Sequence, residues 1–143
     1  MKRTFLAVMA ASVLMACNQS NQTKSKADSA ATAATVNANA PVMKFVFDSH
    51  DFGKVKSGTK VTYDFEFTNI GKSPLIISEA HASCGCTVPE WPKEPIQPGQ
   101  GSKIRVTFDS TNKSGLMDKQ VTVTANTNPP QNVVHLVGEV LAK

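Results

Sequence analysis

The chain has 143 residues with 15 basic and 11 acidic side chains, a formal net charge of +4, and 41% hydrophobic residues. Lys2 and Arg3 precede an apolar run, and without them 13 basic residues face 11 acidic ones, a balance of +2 that is too small to argue for nucleic acid or an acidic membrane surface as a partner. Three cysteines and a single tryptophan keep the candidate chemistry to a few positions.

The first element is a leader. Lys2 and Arg3 form a positive start, Phe5 to Met15 an apolar stretch, and Ala16 supplies a small residue just before Cys17. A helical span needs about 20 apolar residues, so this stretch is too short to remain in a bilayer. Leu14-Met15-Ala16-Cys17 resembles the lipobox of bacterial lipoproteins. The resemblance implies cleavage after residue 16, lipidation of Cys17 and a membrane anchor made of several acyl chains, each methylene contributing about 0.8 kcal/mol. Asn18 is not the aspartate that keeps many such proteins at the inner membrane, so the expected location is the cell envelope, at the outer membrane facing the periplasm.

Residues 17–40 combine the lipidated cysteine with a polar and Ala/Thr/Asn-rich tract whose one larger aliphatic is Val36. Such a segment cannot bury enough apolar surface to offset the entropy of ordering, and it reads as a disordered tether. As a coil it has a reach of roughly 25–30 Å.

Residues 41–143 have the length of one compact domain. Phe45-Val46-Phe47 opens it, and Lys60 to Asn69 alternates strictly, with Val61, Tyr63, Phe65 and Phe67 on one face. Leu75-Ile76-Ile77, Lys103 to Asp109, Gln120 to Ala125 and Val133 to Leu141 give further strand signals, the last with Gly138 as a bulge or close-approach point. Turn residues separate them at Asn69 to Pro74, Pro98 to Gly101, Ser114-Gly115 and Asn126 to Pro130. This punctuation predicts an all-β, immunoglobulin-like antiparallel sandwich of about seven strands. The expected core is Phe45, Phe47, Phe52, Val61, Tyr63, Phe65, Phe67, Ile77, Ile104, Val106, Phe108, Val121, Val123 and Leu136. His50 and Asp51 are expected in the solvated connection after the first strand.

Asp51-Phe52-Gly53-Lys54-Val55, Phe65-Glu66-Phe67-Thr68-Asn69, Gly71-Lys72-Ser73-Pro74-Leu75, Ser83-Cys84-Gly85-Cys86-Thr87, Ile104-Arg105-Val106-Thr107-Phe108 and Gly138-Glu139-Val140 follow one another in an order that resembles the family called domain of unknown function 1573. The resemblance covers about residues 45–140. It implies an immunoglobulin-like sandwich common in envelope lipoproteins, and it implies no activity.

Cys84 and Cys86 are the only thiols besides Cys17. In an extended strand their Cβ atoms would be roughly 6.5–7 Å apart, too far for a disulfide, so a bridge needs a tight turn, which Gly85 permits. Three readings stand: a structural pair, as a local disulfide or two packed thiols; a disulfide that exchanges with other thiols; or capture of copper or zinc by His81, Cys84 and Cys86, with His50, His135 or Met117 as a fourth ligand. Thioredoxin-like chemistry asks for Cys-x-x-Cys at a helix start, and neither is visible. The proline-braced loop Val88 to Gly99 cannot be a central strand, and its Trp91 either caps the core or stands out as a partner contact.

No nucleophile elbow, phosphate-cradling glycine loop or His-Glu-x-x-His run is present. The sequence therefore reads as a non-enzymatic, lipid-anchored binding or scaffolding module with no cofactor, held to the membrane through Cys17 and meeting a protein partner in the envelope. Its rival is a periplasmic thiol-redox or copper/zinc-handling protein built on Cys-Gly-Cys.

Overall fold

A computed structural model describes residues 39–142. The leader, Cys17 and nearly all of the tether lie outside the described residues. The described chain holds eight strands: β1 (Met43–Phe45), β2 (Ser49–Lys56), β3 (Lys60–Asn69), β4 (Ile77–Ala82), β5 (Thr87–Glu90), β6 (Gly101–Asp109), β7 (Gly115–Ala125) and β8 (Gln131–Leu141). They form two four-stranded sheets, ordered β1-β3-β6-β5 and β2-β8-β7-β4. This is an immunoglobulin-like sandwich, with two departures from the reading of the sequence. Two strands had no strand signal in the sequence: β2, and β5, which forms from Thr87-Val88-Pro89-Glu90 at a sheet edge, where Pro89 costs no ladder bond. And β2 runs parallel to β8, from Ser49 opposite His135 to Lys56 opposite Leu141.

Alternation in the sequence becomes the two-sided burial of the strands. β3 turns Phe65 and Phe67 inward and pairs with β6 over nine positions, from Lys60 opposite Asp109 to Thr68 opposite Gly101. Ile104, Val106 and Phe108 from that sheet meet Val121, Val123, Val134 and Leu136 from the other, all fully buried. Each such side chain contributes about 1.5–3 kcal/mol by leaving water. The glycine at 138 admits the Phe52 ring, which a Cβ there would overlap.

Phe47 is not in the core: it is 64% exposed. Val46 N–H still donates to the Glu66 carbonyl of the first sheet, while the Asp48 carbonyl accepts from His135 N–H of the second. Phe47 sits on the crossing between sheets, where the two-residue parity set by Phe45 no longer applies. The same crossing corrects His50 and Asp51, which belong to β2 rather than to a solvated connection. The His50 ring stacks on Tyr63 with centroids 3.5 Å apart.

One end of the sandwich is tied by Asn69, fully buried at the end of β3. Its Oδ1 accepts from Val42 N–H at 3.3 Å and Gly71 N–H at 3.0 Å, and its Nδ2 donates to the Ser73 carbonyl at 2.8 Å and the Ile96 carbonyl at 2.9 Å. Chain entry, the β3–β4 turn and the proline loop thus share one side chain. At the opposite end Ser110, also fully buried, donates to the Thr59 carbonyl at 2.7 Å and closes the β2–β3 turn.

Candidate functional site

Cys84 and Cys86 fall in the turn between β4 and β5, at the edge where the two sheets come together. The turn is closed by Thr87 N–H donating to the Cys84 carbonyl, which brings the two Cα atoms to 5.3 Å, and the sulfurs are joined in a disulfide. Backbone bonds fix the turn on both sides: Ser83 N–H donates to the Gln120 carbonyl of β7, and Asp109 N–H of β6 donates to the Cys86 carbonyl. Cys86 packs against the core, whereas Cys84 does not; both are half-buried. The Thr87 hydroxyl lies 3.6 Å from Cys84 Sγ and 4.0 Å from Cys86 Sγ.

The other residues singled out with the cysteines have partners and settings of their own. His81 is exposed on β4, opposite Thr122. His50 is stacked on Tyr63, His135 Nδ1 lies 2.8 Å from Asp118 Oδ1, and Met117 packs against the core. Among the described residues no group of three or more His, Cys, Asp or Glu side chains is placed to hold a metal ion. Trp91 stands beyond the far end of β5, about 13 Å of strand from the disulfide turn. It is half-buried against the core with Nε1 enclosed and unpartnered, and the Lys93 ammonium sits 3.2 Å above its ring. Trp91 thus packs against the core while Lys93 covers a face of its ring.

A second feature was not visible in the sequence. β1 covers only the last residues of β3, pairing Met43 with Asn69, Lys44 with Thr68 and Phe45 with Phe67. Val46 adds one bond to the Glu66 carbonyl before the chain crosses over. Main-chain groups alternate sides along a strand, so those of Asp64 and Thr62 face the same way as Glu66, where no strand pairs with them. A groove of about 430 Å³ runs along this open edge, lined by Val46, Phe47, Thr62, Tyr63, Asp64, Glu66 and Arg105. Val46 and Phe47, 58% and 64% exposed, form its apolar side.

The polar side is a fixed charge cluster. Arg105 Nε donates to Asp64 Oδ1 at 2.7 Å and its Nη2 to Oδ2 at 3.0 Å, while Lys103 Nζ reaches Oδ2 at 2.6 Å. Hydrogen bonds from Arg105, then Lys103, hold the Asp64 carboxyl far below the usual carboxylate range. Asp64 stays ionised at any ordinary pH.

A family model described as Protein of unknown function (DUF1573) matches residues 43–140. No curated protein matches the chain. Among solved structures, a protein of unknown function from Porphyromonas gingivalis W83 shares 18% identity at a TM-score of 0.62, over 71% of this chain and 48% of that one. The ASH / PapD-like domain of human CEP192 shares 12% at a TM-score of 0.56, over 73% of this chain and 89% of that domain. The secreted serine protease VesC from Vibrio cholerae shares 11% at a TM-score of 0.54, over 71% of this chain and 23% of that one. The chain thus spans about half of the first of these proteins and about a quarter of the protease. At such identities the likeness is one of fold.

Proposed function

The chain belongs to the DUF1573 family of proteins of unknown function, and from that footing we propose that it is a lipid-anchored envelope protein whose sandwich is a non-enzymatic module, docking an extended segment of a protein partner along the open edge of β3. The observation that carries this is the mismatch between three-residue β1 and ten-residue β3. It leaves the donors and acceptors of Thr62 and Asp64 without a strand, beside the exposed Val46 and Phe47. An added strand would satisfy those groups, and one of its side chains would rest on Phe47. The partner side chains facing the Asp64–Arg105–Lys103 cluster would be polar or acidic, since two cations there share one carboxylate.

Anchoring through Cys17 rests on the lipobox-like Leu14-Met15-Ala16-Cys17. Labelled palmitate incorporated by the wild type and not by Cys17→Ser supports it; incorporation by neither removes it. For docking, a photo-crosslinker at position 47 in intact envelopes should yield a discrete adduct. Thr62→Pro removes the outward N–H without touching the ladder to β6, so the adduct should be lost while the circular dichroism of the purified protein is unchanged. An adduct that survives Thr62→Pro undiminished overturns the edge assignment.

A further inference from the structure

We propose that the Cys84–Cys86 disulfide is a thiol-exchange site that trades electrons with a protein dithiol, entered at Cys84. It is independent of the β3 edge.

A cross-link stabilises a fold chiefly by restricting the unfolded chain, and the effect grows with the loop it closes. This one joins residues two apart, so it staples almost nothing. The turn does not need it either. Thr87 N–H to the Cys84 carbonyl, Ser83 N–H to Gln120 and Asp109 N–H to Cys86 hold the backbone on three sides by bonds that do not involve sulfur. Opening the bridge leaves both thiols in place, a turn apart, so that closing it again is intramolecular. A disulfide that adds little to stability, in a preformed turn at a sheet edge, is suited to being broken and remade.

The environment distinguishes the two sulfurs. Cys86 is set against the core and Cys84 is not. A partner thiolate attacks Cys84 Sγ; the new S–S bond forms as the Cys84–Cys86 bond breaks, and the electron pair leaves on Cys86 Sγ. The Thr87 hydroxyl, near both sulfurs, donates a hydrogen bond to the departing thiolate, which then takes a proton from water. The partner's second thiolate attacks its own sulfur in the mixed disulfide and releases Cys84 as a thiolate that is protonated in turn. The sum is one disulfide of this chain and one partner dithiol giving one dithiol of this chain and one partner disulfide, two electrons and two protons transferred. No metal or helix dipole is required.

The test uses the full chain carrying Cys17→Ser, in which Cys84 and Cys86 are the only cysteines. Dithiothreitol under native conditions should open the bridge with the far-ultraviolet dichroism unchanged, and alkylation followed by mass measurement should count two thiols. Removal of the reductant in air should restore the original mass. A bridge that opens only when the protein is unfolded, or whose opening abolishes the β signal, overturns the proposal. For the point of entry, oxidised glutathione should form a mixed disulfide with Cys84 in Cys86→Ser at least about tenfold faster than with Cys86 in Cys84→Ser; equal rates refute the assignment of Cys84. Thr87→Val should move the pH profile of Cys86 alkylation, measured in Cys84→Ser, to higher pH, and an unmoved profile removes the role given to Thr87.

Discussion

Replacing Asn69 with alanine tests how the chain-entry end is held. The amide makes four hydrogen bonds, to Val42, Gly71, Ser73 and Ile96, from a fully buried position. At a net of about 0.5–1.5 kcal/mol each, and with water able to reach the partners nearer the surface, Asn69→Ala should cost about 3–4 kcal/mol. Against a total stability of about 5–15 kcal/mol for a domain, that is a large fraction. A fall in melting midpoint of about 12–24 °C is the corresponding thermal effect. Asn69→Asp is the sharper variant, because it keeps the acceptor but turns the two donors toward Ser73 and Ile96 into an anion facing two carbonyls. Burial and those carbonyls raise the folded pKa of the new carboxyl above its unfolded value of about 3.9, so the variant folds best with that carboxyl protonated. Its deficit is smallest below the unfolded pKa and grows as pH rises through the folded one. Urea titrations followed by Trp91 fluorescence, at pH 4 and pH 7, read both effects. A loss below about 1 kcal/mol for Asn69→Ala, or an Asn69→Asp protein no weaker at pH 7 than at pH 4, would refute the reasoning.

Gly138→Ala places a methyl against the Phe52 ring and should destabilise by about 1–3 kcal/mol, with much of the loss restored in a Gly138→Ala/Phe52→Ala double variant; simple additivity of the two in thermal melts would count against a steric cause. Asp64→Asn should cost at most about 1 kcal/mol at pH 7, since Arg105 and Lys103 are half exposed and screened. Because the folded pKa of Asp64 is depressed, that contribution is present above about pH 4 and is lost as acid approaches the folded pKa, so the stabilities of the wild type and of Asp64→Asn should converge in strong acid. Phe47→Ser should change stability by less than about 0.5 kcal/mol while weakening capture of the partner, and a large drop in melting midpoint would mean that Phe47 carries packing.

The fold was legible wherever a strand has one wet and one dry face. Phe65 and Phe67, Ile104 to Phe108 and Val121 to Ala125 declare themselves by alternation, and their inward residues all line the core. Legibility failed where tertiary pairing overrides local pattern. Phe45-Val46-Phe47 reads as one strand, yet pairing with Glu66 and then with β8 splits it at Phe47. Val88-Pro89-Glu90 reads as a loop because proline lacks a donor, yet an edge position spares that donor. Asn69 was visible as the end of a strand and the start of a turn, not as a buried tie; four partners spread from Val42 to Ile96 leave no local signature. The turn at Gly85 could be anticipated from spacing and glycine. The distance of Trp91 from the cysteines could not, because it depends on β5 forming as a strand and carrying the chain away from that turn.

The parallel pairing of β2 with β8 has a mechanical consequence. Its upstream end lies toward the chain entry at Asn69, and its downstream end, at Leu141, lies at the far end of the sandwich. A pull between the two termini therefore drags β2 and β8 past each other lengthwise, loading the bonds from Ser49 to Lys56 together rather than unzipping them singly. Single-molecule stretching should show one tall rupture, where peeling an antiparallel hairpin would give a low plateau.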